Sequence, residues 1–384
     1  MTLPGSRDGR TLAALMSVGI ANHVVLSGSR VTVSLDALGR GASAFTVGLL
    51  IALYALLPML LAISAGRLSD RIGMLRPMQI GSACLVVGAS VPVIFPGLPA
   101  LFVSAALVGM GFMLFQVSAQ KATGALGTPT DRARNFSLLA MGYSISGFFG
   151  PLVAGFTIDH AGHRIAFAVL AALPVFTTLF LARGGLQVGP RQQERASAEK
   201  GSVLTLLATP VLRKVFAINV LYSAGWDLHT IVVPVYGAHL GLSASQIGAI
   251  LSTFAAATFL VRLCMPALMR RRSEQQVLTG ALFLSGAVYL VLPFARSAWM
   301  LAALSFVLGL GLGSGQPMVM SLLHAHAPPA RVGEAVGIRM SLVQMSAVVV
   351  PLLFGVVGTT LGLAPVFWSV GLCLAGGGFL SRRR

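Results

Sequence analysis

Runs of apolar residues, each about 20 long, recur from one end of the chain to the other and are divided by short polar stretches. A helix of that length crosses a hydrocarbon core of roughly 30 Å. The pattern predicts twelve such helices, over 11–35, 44–65, 77–95, 99–121, 135–158, 163–182, 212–236, 245–269, 277–295, 298–321, 334–357 and 363–380. Twelve crossings put both ends of the chain on the same side. The first run begins near Thr11 and is longer than the roughly 7–15 apolar residues of a signal-peptide core, so it is expected to stay as the first helix.

Composition supports lipid as the surroundings. Of the 384 residues 56% are hydrophobic and 10% charged, against roughly 25% charged in soluble domains. So few charges cannot cover a water-facing surface. The net charge of +17 raises the question of nucleic acid, but the basic residues sit in clusters between apolar runs, not on one face or in one tail, and no nucleic-acid partner is expected. Their placement instead sets orientation. Arg40, Arg164 and Arg296 fall on one side, Arg30 and Arg339 fall inside spans, and all the other Lys and Arg, Arg262 among them, fall on the side of the termini. By the positive-inside rule both termini are cytoplasmic.

The longest polar stretch lies at 184–203, with Gly184, Gly185, Gly189, Pro190 and a mixed-charge run through Lys200. It divides the chain into an N-terminal six-helix bundle, 1–183, a cytoplasmic linker, 184–211, and a C-terminal six-helix bundle, 212–384. The halves repeat each other at a shift of 200 residues. Gly41, Ser43 and Gly48 recur as Gly241, Ser243 and Gly248; Leu68 and Arg71 as Leu268 and Arg271; Gly109, Gly111 and Gln116 as Gly309, Gly311 and Gln316; Pro151, Leu152, Gly155 and Gly162 as Pro351, Leu352, Gly355 and Gly362. Gln, Pro and Gly matching at one offset across five helices is more than a Gly- and Leu-rich composition supplies by chance.

Two segments carry a family resemblance. Gly66-Arg67-Leu68-Ser69-Asp70-Arg71-Ile72-Gly73, read as the loop after the second span, resembles the loop signature of the major facilitator superfamily; Met74 and Leu75 depart from it where basic residues are usual. Ser146-Gly147-Phe148-Phe149-Gly150-Pro151-Leu152-Val153-Ala154-Gly155 in the fifth span resembles that superfamily's antiporter signature, with Ser146 and Ala154 replacing glycines. The resemblance implies an all-α integral membrane protein of twelve transmembrane helices in two pseudo-symmetric six-helix bundles, the major facilitator fold, with a binding site near the midplane between parallel halves. It implies a gate on the cytoplasmic side from Gly66, Asp70, Arg71 and Gly73. Glu334 and Arg339, at the start of span 11, are assigned to the same gate, Glu334 favourably placed at a helix N-terminus and Arg339 close enough to the end to snorkel. Gly150, Pro151 and Gly155 form a helix-packing motif, small residues allowing close approach and Pro151 a kink; the resemblance associates it with export. An arginine in span 4 and a mid-helix acid in span 1, both seen in drug–proton antiporters, are missing.

Ionisable groups within a bilayer are costly and are candidates for function. Span 1 holds Asn22, His23 and Arg30; span 4 holds Gln116 and Gln120; span 7 holds Asn219, Tyr222, Trp226, Asp227 and His229; span 10 holds Gln316. The resemblance implies that these four spans line the central cavity. Asp227, deep in span 7, and Arg30, one turn from the equivalent level of span 1, are the expected proton-coupling residues, with a structural ion pair as the alternative. His23 and His229 can titrate near neutral pH or serve as hydrogen-bond partners; Tyr222 and Trp226 can stack on substrate or pack; the glutamines can orient substrate or tie helices.

Cys84, Cys264 and Cys373 are far apart inside apolar runs, and neither they nor the Asp159–Arg164 cluster has metal-ligand spacing, so no metal or cofactor is expected. No nucleophile–base pair or phosphate loop suggests an enzyme. The expectation is a monomeric secondary transporter of the bacterial inner (plasma) membrane, whose partners are the lipid bilayer, a small-molecule substrate and protons, exporting an organic molecule in exchange for protons. The alternatives are uptake or facilitated diffusion of a metabolite, sugar or siderophore, and a transporter-like sensor without flux.

Overall fold

The structure, a computed structural model, describes residues 7–126, 132–186, 203–328 and 332–382, and these form helices and short turns without a strand. In chain order the helices are α1 (Arg7–Gly39), α2 (Ala44–Ile72), α3 (Leu75–Ile94), α4 (Leu98–Ala125), α5 (Arg132–Ala182), α6 (Val203–Ala208), α7 (Pro210–His239), α8 (Ala244–Met269), α9 (Glu274–Val291), α10 (Ala298–His326), α11 (Val332–Thr360) and α12 (Leu363–Arg382). Among the described residues ten helical segments are long and apolar enough to cross a membrane. One of them, in α5, is broken at Gly162, whose φ of 82° and ψ of 169° separate two limbs, each long enough for a crossing. Adding α7, whose polar residues keep it out of a purely compositional count, completes the twelve expected crossings. The short α6 lies in the segment read from sequence as linker.

Local chemistry explains where helices stop and start. Gly41 closes α1 in the left-handed region, with its N–H on the Leu38 carbonyl and the Ala42 N–H on the Ala37 carbonyl. Gly241 closes α7 the same way, on Ala238 and Gly237. This pairing of bonds is the Schellman stop, which favours glycine because a Cβ is strained there. Two residues later Ser43 and Ser243 restart the chain as helix, their hydroxyls accepting from the Thr46 and Gln246 N–H groups. Much of the 200-residue repeat therefore encodes the same stop-and-start in each half.

The chain packs as two compact units. The first comprises Met1–Ala42, Leu53–Gln193 and Ser243–Ser252; the second comprises Ser43–Ala52, Glu194–Leu242 and Thr253–Arg384. Each unit has thus taken in the opening turns of a helix whose remainder belongs to the other. Within the first unit α1 lies along α5, and α3 along α4 and α5. Within the second α7 lies along α10, α11 and α12, and α9 along α10 and α12. In the first unit the opening turns of α8 run along α5: Gly248 sits against the Pro151 carbonyl where a Cβ would clash, and Ser252 Oγ donates to the Phe148 carbonyl at 2.7 Å. In the second the opening turns of α2 run along α11, with Gly48 against the Pro351 carbonyl. The repeated glycines and prolines mark these close crossings.

Large apolar side chains face outward. Trp299 is 86% exposed, Phe176 71% and Leu361 69%, positions that suit acyl chains and not water. The segment read as a loop from Gly66 is instead the last turns of α2, which run to Ile72; no residue there breaks a helix, and the chain turns at Gly73, φ 82°. The side chains of Asp70 and Glu334, and the surroundings of Gly66, lie outside the described residues.

Candidate substrate and coupling site

In the first unit the polar residues of α1 fall into three groups. Asn22 is fully buried; its Nδ2 donates to Ser82 Oγ of α3 and its Oδ1 accepts from Thr177 Oγ1 of α5, both at 2.8 Å. That amide ties three helices together and has both ends engaged. His23, one residue on, is half-buried, with Nδ1 2.7 Å from Ser146 Oγ of α5 and its ring 5.2 Å from Phe112 and 4.9 Å from Tyr143. Ser146, which replaces a glycine of the antiporter signature, thus serves as the partner of the histidine. Arg30, two turns further, lies over the Tyr54 ring at 5.5 Å, a cation–π geometry, and the Tyr54 hydroxyl donates to Ser29 Oγ at 3.1 Å. Gln116 and Gln120 are half-buried on α4, Gln116 beside Tyr143. Gly150 abuts α1 at Ser27 and Gly28, while Gly155 abuts Ala244 of α8. The packing motif therefore serves a crossing on each side of Pro151.

In the second unit α7 presents a ladder of polar groups. Asp227 lies 17 residues into the helix, about 25 Å along a rod of about 45 Å. It is half-buried, and its Oδ2 accepts from Ser346 Oγ of α11 at 2.9 Å. Seven residues before Ser346, and so on the same face of α11, Arg339 is 7% exposed and its Nη1 donates to Asn219 Oδ1 of α7 at 3.4 Å. It is buried against α7 and does not reach outward along the helix. Trp226 and His229 both meet Phe254 of α8: Trp226 edge-on at 4.8 Å, His229 stacked at 4.2 Å. His229 is fully buried with Nε2 3.0 Å from Ser305 Oγ of α10. Tyr222 Oη donates to the Gly311 carbonyl and accepts from the Gly315 N–H of α10, both at 2.9 Å, so it stands between two groups that an α-helix pairs directly. Gln316 is exposed and accepts from Arg262 Nη2 of α8 at 3.0 Å.

Reasoning from sequence counted Arg262 among the charges flanking the membrane. The structure places it inside α8, two turns before its end, against α10. The signal was an arginine within a predicted span. Ser346, Ser305, Tyr54 and Ser146 carried no such signal, because a serine or tyrosine in an apolar helix is commonplace; what distinguishes them is the ionisable neighbour on another helix. Arg30 belongs to the first unit and Asp227 to the second.

Each unit therefore has buried polar and aromatic side chains on its first helix, α1 or α7, facing partners on the two or three helices packed against it. The family model described as Major Facilitator Superfamily matches residues 13–222 and again 215–383. The chain belongs to the Major Facilitator Superfamily. The double match is the internal repeat in another form, one match per half. Membership makes the chain a multi-pass membrane transporter and not an enzyme, and the all-helical architecture agrees. Among curated relatives, a class D tetracycline resistance protein of Salmonella ordonez is 22% identical over 340 residues, covering 86% of this chain and 84% of its own. The quinolone resistance protein NorA of Staphylococcus aureus (strain MSSA476) is also 22% identical over 340 residues, covering 88% and 87%. Among solved structures, a bacterial homolog of the human lysosomal transporter Spinster superposes with a TM-score of 0.79 at 14% identity, covering 98% of this chain and 97% of its own. A POT family transporter, solved in complex with 5-aminolevulinic acid, gives 0.80 at 14% identity over 97% and 96%. At such identities the structural likeness speaks for the fold.

Proposed function

We propose that this superfamily member exports a small organic molecule across the bacterial inner membrane by alternating access, in exchange for protons, as a monomer with both termini in the cytoplasm. The observation that carries the coupling assignment is Asp227: a half-buried carboxylate midway along α7 that accepts from the Ser346 hydroxyl of α11. Protonation there removes the charge and frees the Ser346 hydroxyl, so the proton can change how α7 and α11 are joined. One charge moved through 100 mV is worth about 2.3 kcal/mol, and one titrating carboxylate therefore supports useful pumping. Arg30, seated on the Tyr54 ring, is the second residue assigned to coupling. His23, Gln116, Gln120, Trp226 and Gln316 line the path of the substrate, and Gly66, Asp70, Arg71, Gly73 and Glu334 close its cytoplasmic end. The resistance proteins among the relatives support export over uptake.

The test is Asp227→Asn reconstituted in liposomes under an imposed pH gradient. The variant should bind substrate as before and lose proton-coupled flux. Undiminished pumping removes Asp227 as the coupling site. Accumulation in right-side-out vesicles, with none in inverted ones, replaces export by uptake.

A further inference from the structure

The pair Arg339–Asn219 is a site short of an acceptor. Arg339 is 7% exposed and Asn219 3%, both inside the second unit. The guanidinium reaches the Asn219 carboxamide oxygen at a long 3.4 Å and the Met340 sulfur, a weak acceptor, at 3.3 Å. Its Nε and the Nδ2 of Asn219 are both buried without a hydrogen-bond partner. The amide cannot turn to help, because that would set its NH2 against the guanidinium. Among the described residues no carboxylate lies in ion-pair range of Arg339. A buried cation without a counter-charge is unfavourable, and two orphaned donors flanking one weak hydrogen bond are the complement of a planar two-oxygen anion, which a guanidinium grips through two N–H groups.

We infer that Arg339 and Asn219 bind the carboxylate of the transported molecule, which is an amphipathic organic acid with a flat apolar body. This rests on the export reading above and narrows its substrate. Trp226 lies seven residues beyond Asn219, two turns along and on the same face of α7, about 10 Å away. It is half-buried and meets Phe254 edge-on, an aromatic wall on which the body of the acid would pack. The site belongs to the ends of α7 and α11 expected to face the cytoplasm, where an exported molecule enters. Asp227 follows Trp226 directly in α7, a little over two turns beyond Asn219, and repels a second anion there.

The probe is 2-naphthoate, with 2-naphthamide as its neutral isostere and chloride as the inorganic anion, titrated against the purified full chain in lipid nanodiscs. Naphthoate should bind, naphthamide at least tenfold more weakly, and chloride should not compete. Arg339→Gln should weaken naphthoate at least tenfold while leaving the melting temperature unchanged or raised, since it removes a buried charge that has no carboxylate in range among the described residues; Arg339→Lys should fall between. No naphthoate binding, equal binding of naphthamide, competition by chloride, or unchanged affinity in Arg339→Gln each overturns the inference. A variant that melts lower and binds as before marks the arginine as structural, which overturns it too. Binding is read without flux, so naphthoate binding without proton-coupled transport would refute only the export reading, and Asp227-dependent export of a neutral compound without naphthoate binding only this one.

Discussion

Replacing Asp159 by asparagine isolates one clasp at the start of α8. Asp159 lies at the end of the first limb of α5, three residues before Gly162. Its carboxylate accepts from the N–H groups of Ala244 at 2.9 Å and Ser245 at 2.7 Å, two of the donors that the first turn of α8 leaves unpaired. Buried charge-assisted bonds contribute about 1.5–3 kcal/mol each. Asp159 is exposed, so solvent screening brings the pair toward the value of a surface N-cap, about 1 kcal/mol. Asparagine keeps one acceptor, turns an NH2 toward the other N–H, and removes the charge that favours a helix N-terminus. Losing about 1 kcal/mol should raise local opening about fivefold. Hydrogen exchange of a peptide spanning 244–252 measures this. The start of α2 is the internal control: Ser43 caps it without any described carboxylate, and its exchange should not change. The pH dependence follows from the carboxyl itself. Burial alone would raise its pKa, but the bonds from Ser245, Ser243 and Ala244 outweigh burial and hold it below the ordinary carboxylate value. A group depressed in this way contributes fully above its ordinary pKa and fades as pH falls through the lowered one. The difference between variant and parent should therefore be flat from about pH 5 to about pH 8. Unchanged exchange over 244–252, or a difference that appears only near neutral pH, refutes the reasoning.

Two further outcomes test the site description. Asn22→Leu leaves Ser82 and Thr177 without their shared partner; it should destabilise by about 1–3 kcal/mol, read as a lower melting temperature, while substrate affinity of the folded fraction stays unchanged, and weaker binding at unchanged stability would return Asn22 to the cavity. Tyr222→Phe removes a hydroxyl from between Gly311 and Gly315; the two backbone groups can then pair directly, so the loss should stay under about 1 kcal/mol and slow exchange in the 311–316 stretch of α10, whereas faster exchange there shows that the helix needs the hydroxyl.

Sequence made the twelve crossings legible because lipid demands long apolar helices, and the 200-residue repeat made the two halves legible. It also singled out Asp227, Arg339 and His229, since a polar residue in an apolar run declares itself. What it could not do was say what faced them. Arg339 reads as a residue free to snorkel when only its distance from the helix end is known; the structure buries it because Asn219 of α7 stands opposite. Asn22 reads as cavity lining until Ser82 and Thr177, ordinary residues in their own helices, are found at its two ends. The signature from Gly66 reads as a loop because charged residues usually mark one, yet a helix carries them to Ile72. Partner identity is a property of packing between helices far apart in sequence, and a single chain pattern holds no record of it.

The exchange of helix ends bears on how the protein is made. A ribosome that has finished α5 has released almost all of the first unit, but the groove along that helix stays empty until translation passes Ser252. The opening turns of α2, made early, must likewise wait for α11 before they find their seat. Neither half can mature on its own schedule, and a chain cut after the first six crossings would reach the membrane with a missing stave.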